Sequence, residues 1–312
     1  MLNLAKLQEA RHNTMKQLER QEEIIEDDYL MDSEDGLRVS EEVYWQRYYH
    51  HPDFNYEWAN GRLEEKTASN LATQRMYGWL VKLLSIFFEV HKTAELIRLR
   101  TGFVVPLPPE EEQEEEQEQD KKKKKKHIRK PDLGVVLSSN PTPYKSQDII
   151  YHGIPDLCIE AISYTTKKAK ERDTKEKKKE YEHAGVKEYY ILDDRKTETR
   201  FYRLNRWGLY EEIKPIDGDV IKSEVLPGFQ FRISDLYRQP DQIELVKDKV
   251  YQDFVMLKYQ AAKERADRLQ EEADRWQQEA DRLQAERERV ERLRAENARL
   301  MALLQQMGIS LD

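Results

Sequence analysis

The fold is decided by four segments that follow one another in the chain: PDLGVVL (131–137), GIPDLCIEAIS (153–163), ERDTKEKKKEYEHAGV (171–186) and KEYYILDD (187–194). The first, second and fourth are short and apolar, which is typical of buried strands, whereas the third has the charge and spacing of a helix. The order strand, strand, helix, strand predicts an α/β domain with one small sheet and a helix packed on it.

Each of the first two predicted strands places a carboxylate in apolar surroundings. Asp132 stands directly before the run 133–137, and Glu160 lies within 157–162. Because a charge beside or inside such a run is costly unless it is paired or metal-bound, we expect both side chains to point to one edge of the sheet. There they would share a divalent cation, and Mg²⁺, which needs only one or two carboxylates, suits such a pair.

One lysine of the charged helix is distinguished by its helical phase. Asp173, Lys177, Tyr181 and Ala184 are separated by four, four and three residues, so they fall on the face predicted to meet the sheet. An ammonium beside two carboxylates can orient an attacking water and stabilise charge on a phosphate. The two carboxylates and this lysine are therefore the predicted catalytic set of a metal-dependent nuclease.

A purely structural interpretation of the same residues stays open. In it, Asp132, which follows a proline, only caps a turn. Glu160 and Lys177 then form a buried salt bridge with no chemical role, because structural ion pairs produce such clusters too.

The flanking sequence predicts the other elements. Ser40 is an N-cap signal for a helix that ends before Pro52, and Asn60-Gly61 is a hairpin turn between two short strands. Apolar periodicity and turn residues further predict a helix over 69–91, a strand over about 95–105, a hairpin that turns within 205–208, and a closing segment at 226–237.

Charge is concentrated in two parts of the chain. Of the 312 residues, 37% are charged and the net charge is −8, which disfavours a protein that coats nucleic acid nonspecifically. An acidic run at 110–120 is followed by six lysines at 121–126, and we interpret 109–128 as a solvated loop inserted between two strands. The alternative is an arm that binds DNA phosphates.

From about Asp241 the sequence predicts one long helix with a coiled-coil seam. The seam residues alternate at spacings of four and three: Ala262, Ala266, Leu269, Ala273, Trp276, Ala280 and Leu283, then, after a phase slip of three residues, Val290, Leu293, Asn297, Leu300, Leu304 and Met307. Asn297 fits an a position, where a buried amide favours a parallel homodimer. The alternative is a monomer whose helix folds back onto the domain.

Several classes of protein and site are disfavoured. The single cysteine, Cys158, lies within a predicted strand, where it is a small core residue, and the most apolar stretch (79–88) contains Lys82 and is too short to span a bilayer. The histidines lack zinc-ligand spacing, and there is no Gly-rich phosphate loop. These features predict a cytoplasmic protein that does not enter a membrane.

In their order and spacing, PDLGVV (131–136), PDLCIEAIS (155–163), RDTKEKKKEY (172–181) and AGVKEYYILDD (184–194) resemble the Uma-two family of restriction-endonuclease-like proteins, which belongs to the PD-(D/E)XK nuclease superfamily. The resemblance extends over about Ser40 to Tyr237. It also includes the stretches YEWANGRLEE (56–65), RFYRLNRWGLYE (200–211) and LPGF (226–229).

The resemblance implies a restriction-endonuclease-like mixed sheet flanked by helices. Asp132 matches the family's first metal-binding acid and Glu160 the second. The superfamily's usual lysine position is Ile162 here, and Lys177 matches the place to which the family has moved that lysine. Glu57 matches an acidic position of the early hairpin that supports the site.

The sequence thus predicts a helical arm (1–39), a nuclease-like domain (40–239), and a long helix with a coiled coil (241–312). The leading hypothesis is an endonuclease that uses Mg²⁺ or Mn²⁺ to hydrolyse DNA phosphodiester bonds. Two rivals remain: a nuclease-fold protein that binds nucleic acid or a partner without cutting, and a scaffold whose working part is the coiled coil.

Overall fold

The computed structural model describes residues 32–98, 100–107, 126–164 and 166–307. The strands are β1 (Tyr56–Ala59), β2 (Arg62–Glu65), β3 (Ala94–Arg98), β4 (Phe103–Pro106), β5 (Lys126–Arg129), β6 (Leu133–Leu137), β7 (Leu157–Ala161), β8 (Glu188–Leu192), β9 (Arg200–Leu204), β10 (Tyr210–Glu212), β11 (Val220–Lys222) and β12 (Gln230–Arg232). The helices are α1 (Glu41–Val43), α2 (Leu71–Val90), α3 (Lys167–Glu171), α4 (Lys177–Ala184), α5 (Ile233–Arg238), α6 (Gln242–Lys247) and α7 (Leu257–Gln306). π-helical turns at Tyr44–Tyr48, Arg172–Glu176 and Gln252–Met256 extend α1, join α3 to α4 and lead into α7.

The strands form two main sheets. Six of them make a mixed sheet in the order β10-β9-β8-β7-β6-β3, in which β7 and β8 are parallel and the other neighbours are antiparallel. Four more make an antiparallel sheet in the order β2-β1-β5-β4, and β11 pairs with β12. The predicted α/β class with a mixed sheet and flanking helices is therefore confirmed.

The two main sheets are joined by a very short connection. β5 ends at Arg129 in the four-stranded sheet and β6 begins at Leu133 in the six-stranded sheet, so only Lys130, Pro131 and Asp132 lie between them. Asp132 consequently stands at the junction of the sheets.

A helical crossover connects β7 to β8, as parallel neighbours require. It consists of α3, a π-helical turn and α4, and it confirms the helix predicted at 171–186. Gly185, with φ of 88°, ends α4 in the left-handed conformation that favours glycine.

Both faces of the six-stranded sheet are buried. Leu157, Ile159 and Tyr190 pack with α2 on one face, while Cys158 packs with Tyr181 beneath the crossover on the other. Because side chains alternate along a strand, Glu160 shares the crossover face with Cys158. The predicted core role of Cys158 is confirmed. None of the helices in the described ranges is long and apolar enough to cross a bilayer.

Several predicted local elements are also confirmed. The Ser40 hydroxyl accepts a hydrogen bond from the Val43 amide (3.3 Å), which caps α1. Asn60 and Gly61 both have positive φ, as a two-residue hairpin turn requires. The helix predicted over 69–91 is α2, and the later hairpin is β9–β10.

The single strand predicted over 95–105 is wrong, because the chain forms β3 and β4, which belong to different sheets. The chain bends between them at Gly102, where an added Cβ would lie 3.0 Å from the carbonyl oxygen of Arg129. Only glycine permits so close an approach of two backbones.

The predicted insertion 109–128 extends too far at its end. β5 begins at Lys126, and Ile128 is fully buried between β1 and β4. The rest of the insertion, residues 109–125, lies outside the described residues, as does the predicted arm up to residue 31.

The prediction of one helix from Asp241 is also wrong. α6 ends at Lys247, and the chain then turns back into the core, where Tyr251, Phe254 and Val255 are fully buried. Burial of these apolar side chains outweighs the hydrogen bonds of an uninterrupted helix. The globular part therefore ends near Leu257 rather than at residue 239.

α7 leaves the domain as an extended helix. Its described residues include none that is buried, and Leu269, Trp276 and Leu283 are 57%, 71% and 52% exposed. The alternative in which this helix folds back onto the domain is therefore not what the structure adopts.

The position of the boundary can be checked with two truncations. A chain that ends at Pro240 loses Leu245, Tyr251, Phe254 and Val255 from the core, whereas a chain that ends at Leu257 keeps them. At roughly 2 kcal/mol or more for each buried side chain, the shorter chain should lose most of its free energy of unfolding. Urea unfolding should be cooperative for residues 1–257 and absent or shifted to much lower urea for residues 1–240. Equal midpoints would contradict the boundary.

Candidate active site

The ammonium of Lys177 lies at the centre of a buried charge cluster. Its Nζ is 2.9 Å from Glu160 Oε1, 3.1 Å from Glu57 Oε1 and 3.1 Å from Asp173 Oδ1, and the side chain is fully buried. Burial works against the charge, but the three carboxylates raise the pKa of Lys177 above its ordinary value. One cation thus joins β7, β1 and the π-helical turn before α4.

Glu160 is held from two sides. One carboxylate oxygen faces Lys177 and also accepts a hydrogen bond from the Tyr181 hydroxyl (3.1 Å), while the other lies 3.1 Å from Lys66 Nζ. Its side chain is only 1% exposed. A buried carboxylate with this many donors is fixed in position.

Asp132 lies on the more open side of the same cluster. Its Oδ2 accepts a hydrogen bond from the backbone amide of Ala161 (2.7 Å), and its Oδ1 is 2.9 Å from Lys66 Nζ. The side chain is 27% exposed. The hydrogen bond goes to the neighbouring strand, so Asp132 does not act as the local turn cap of the structural interpretation.

Lys66 is a site residue that the sequence did not reveal. Its ammonium bridges Asp132 and Glu160 and also donates to the carbonyl oxygen of Lys130 (2.6 Å). Burial disfavours its charge, but the two carboxylates raise the pKa of Lys66 well above its ordinary value. The hairpin register pairs Lys66 with Asn55 at the open end of β1–β2. The strand register of the β1–β2 hairpin does not by itself indicate that its open end contacts the six-stranded sheet.

Glu57, for which the family resemblance implies a supporting role, lies in direct contact with Lys177. One oxygen accepts from the Lys130 amide (2.8 Å), and the other lies 3.2 Å from Arg129 Nη1. Burial would raise the pKa of Glu57, but the charges of Lys177, Lys66 and Arg129 together hold it well below its ordinary value. Glu57 thereby links the junction segment to the buried lysine.

Arg129 forms a second layer beneath Glu57. The guanidinium is fully buried and makes ion pairs with Glu57, Glu64 and Glu180, and Glu180 also contacts His127 (3.0 Å). The planar guanidinium can bind several carboxylates at fixed angles. This layer ties the four-stranded sheet to α4.

A cleft of about 330 Å³ opens beside the cluster. Lys66, Asp132 and Ala161 form its inner wall, and Glu160 does not line it. The rest of the wall consists of Asn55, Thr67, Ser69, Thr73, Gln74, Tyr77 and Arg100. A larger cavity of about 700 Å³ lies by the β9–β10 hairpin and contains none of the predicted site residues.

The structure therefore brings the predicted residues together around two lysines, Lys177 and Lys66. Lys177 contacts both Glu160 and Glu57 directly, whereas Asp132 is linked to Glu160 through Lys66. The ion pair of the structural interpretation, Glu160 with Lys177, is present, but Glu160 is shared with a second lysine. Within the described residues, no group of three or more His, Cys, Asp or Glu side chains is arranged to hold a metal ion.

The helical phase predicted for Lys177 is confirmed. Asp173, Lys177 and Tyr181 are buried against the sheet, while Lys175 and Lys179 are exposed. The π-helical turn before α4 also turns the Arg172 side chain inward, which a regular helical phase does not predict.

Comparison with known families gives the same assignment. The model of the family Uma2, described as “Putative restriction endonuclease”, matches residues 42–234, which is more than half of the chain. The chain belongs to the Uma2 family. The resemblance noted in the sequence is confirmed, and membership of Uma2 indicates a nuclease-like function.

Comparison with solved structures gives a partial similarity. A crystal structure described as “a putative nuclease belonging to DUF820 from Anabaena variabilis ATCC 29413” is similar at 16% sequence identity, over 59% of this chain and 89% of that chain, with a TM-score of 0.42. No curated protein sequence is significantly similar to this Uma2 protein.

Acid unfolding should report on the layer around Arg129. Burial would raise the pKa of Glu180, but Arg129 and His127 lower it to about 2. Since the pKa is depressed in the folded state, the stabilisation is complete above the unfolded value of about 4.5 and is lost as the pH falls towards 2. Glu180→Gln should lower the free energy of unfolding at pH 7 by about 3 kcal/mol and flatten its decline over that acid range.

The measurement is urea unfolding at a series of pH values. Glu279→Gln, at an exposed position of α7, serves as the matched control and should keep the wild-type slope. An unchanged slope in Glu180→Gln would show that Glu180 is not the titrating group.

Proposed function

We propose that this Uma2 protein is a metal-dependent endonuclease that hydrolyses DNA phosphodiester bonds. The observation that supports it is the convergence of Asp132 and Glu160, from neighbouring strands, on one ammonium at 2.9 and 3.1 Å. Their oxygens are close enough together to contact a single cation. Membership of the Uma2 family supports the nuclease class of the reaction.

The donor set suits Mg²⁺ or Mn²⁺. Carboxylate oxygens are hard ligands, and Mg²⁺ requires only one or two of them because it keeps several waters. In the proposal Asp132 and Glu160 hold the ion, which would supply an activated water and neutralise charge on the phosphate. A pair of carboxylates, rather than a larger cage, is sufficient for that role.

The neighbouring residues fix this pair. Lys177 is fully buried and faces Glu160, Glu57 and Asp173, so in the proposal it positions Glu160. That is a more restricted role than the direct contact with phosphate expected from the sequence. Glu57 in turn holds Lys177 and the Lys130 amide, which sets the position of the segment that ends in Asp132.

The substrate would reach the site through the cleft. Asp132 is the carboxylate that lines it, and Arg100 and Lys66 supply positive charge on the same wall. The side chains of Thr67 and Gln74 add a hydroxyl and an amide, which are groups that can donate to a phosphodiester backbone. DNA is therefore the proposed partner of the cleft.

The exposed seam of α7 is the proposed dimer interface. Leu269, Trp276, Leu283 and Val290 repeat every seven residues and are 41–71% exposed, and Asn297 continues the same stripe. Apolar residues at this period pack against a second helix. A parallel homodimer would place two nuclease domains on one duplex, one for each strand.

A second candidate function is favoured by Lys66. An ammonium between the two carboxylates already offsets part of their charge, as in a nuclease-fold protein that binds nucleic acid without cutting it. The single buried thiol of Cys158 is compatible with a reducing cytoplasm in either case.

A plasmid assay separates the two functions. Supercoiled DNA with Mg²⁺ or Mn²⁺ should be nicked by the wild type, while Asp132→Asn and Glu160→Gln should lower the rate by at least about a hundredfold, because each removes a charged metal ligand. Glu95→Gln, at an exposed position of β3, should keep the wild-type rate. Binding of DNA without nicking, at all metal concentrations, would favour the second candidate.

A cysteine crosslink tests the dimer and its direction. In a parallel, in-register dimer the two copies of Asn297 face each other, so Asn297→Cys should form a disulfide-linked dimer under mild oxidation. Ala295→Cys, two residues away on the opposite face of the helix, should not. Sedimentation should give a dimer for the wild type and for Arg282→Asp, and a monomer for Leu283→Asp. Dimers of Leu283→Asp would place the interface elsewhere.

A further inference from the structure

The surroundings of Lys66 are those of a bound cation. An ammonium has three donors, and all three are directed at oxygen atoms: Asp132 Oδ1 at 2.9 Å, Glu160 Oε2 at 3.1 Å and the Lys130 carbonyl at 2.6 Å. Two carboxylates and a carbonyl are also the hard oxygens that a divalent cation prefers. Lys66 thus uses the oxygens that a metal ion would require.

Lys66 also controls access to one of these oxygens. Glu160 is 1% exposed and does not line the cleft, whereas Lys66 is 12% exposed and does. An ion that enters through the cleft therefore meets the ammonium before it meets Glu160.

The two lysines of the cluster differ in how much space their side chains have to move. Lys177 is fully buried among three carboxylates, so its removal would leave several unpaired charges in the core. Lys66 borders a cleft of about 330 Å³ and has a flexible four-carbon stem. Lys66 alone of this pair has open space in which its ammonium can move.

From this geometry, and resting on the metal-dependent function proposed above, we infer that Lys66 is a tethered counter-cation that competes with a divalent cation for Asp132 and Glu160. Two cations cannot occupy the same set of oxygens, because they repel each other at this distance. When the divalent cation binds, the ammonium turns into the cleft.

The displaced ammonium has a function in its new place. The cleft lining includes Arg100, Thr67 and Gln74, whose guanidinium, hydroxyl and amide groups can donate to a phosphodiester. Lys66 would then contact the phosphate beside the bound metal, so cation binding and substrate binding would favour each other.

The competition can be measured as Mn²⁺ affinity by calorimetry, without any cleavage. Lys66→Met keeps most of the stem and removes the competing charge, so it should bind Mn²⁺ at least about tenfold more tightly than the wild type. Lys92→Met, at an exposed position, is the matched control for loss of one positive charge and should change the affinity less than about twofold. Asp132→Asn should abolish the gain in the Lys66→Met background.

A second measurement uses the wild type, in case Lys66→Met does not fold. Amine-specific labelling followed by mass spectrometry reports how accessible each lysine is. Labelling of Lys66 should rise several-fold with saturating Mn²⁺, because the freed ammonium no longer bridges two carboxylates. Lys177 should stay unlabelled and Lys92 labelled under both conditions.

The outcomes separate this inference from the nuclease function. Equal Mn²⁺ affinity in Lys66→Met and wild type, or Lys66 labelling that Mn²⁺ leaves unchanged, overturns the competition even if the wild type cleaves DNA. Tighter Mn²⁺ binding by Lys66→Met without cleavage supports the competition and rejects the nuclease. Absence of Mn²⁺ binding by every variant rejects both.

Discussion

The arrangement of the domain depends on a single buried ammonium. Lys177 contacts Glu57 of the four-stranded sheet, Glu160 of the six-stranded sheet and Asp173 of the crossover. A charge without partners at this depth would cost several kcal/mol, so the three elements can pack only where their carboxylates meet this lysine. Arg129, which is also fully buried, constrains the packing in the same way through its ion pairs with Glu64 and Glu180. The position of the candidate site is therefore a consequence of how the two sheets are joined.

Much of this could be predicted from the sequence, because the relevant signals are local. An acid at the start of one apolar strand and another within the next predicted the same sheet edge, and helical phase selected Lys177 among eight basic residues of 167–179. The hairpin at Asn60-Gly61 and the cap at Ser40 are likewise encoded by adjacent residues. In each of these cases the physical cause lies within a few positions of the residue concerned.

The errors arose where long-range contacts decide the structure. The bend at Gly102 is needed because the backbone of β5 passes beside it, and β5 is more than twenty residues away in sequence. The helix after Asp241 is interrupted because Tyr251 and Phe254 complete a core built mainly from α2 and the sheet. Lys66 was missed for the same reason, since its three partners come from the junction and from β7. Local propensity describes none of these contacts.

The way in which α7 leaves the domain has a mechanical consequence. The helix begins directly after the buried Phe254 and Val255, and Lys258 is paired with Glu89 of α2 (2.8 Å), so no flexible linker separates the rod from the core. Its 50 residues extend about 75 Å. If two such rods pair, the angle at which each leaves its core sets the separation of the two clefts. The coiled coil would then set the spacing and facing of the clefts, and inserting or deleting residues in α7 near Leu257 would rotate each cleft about the axis of its own helix by about 100° per residue.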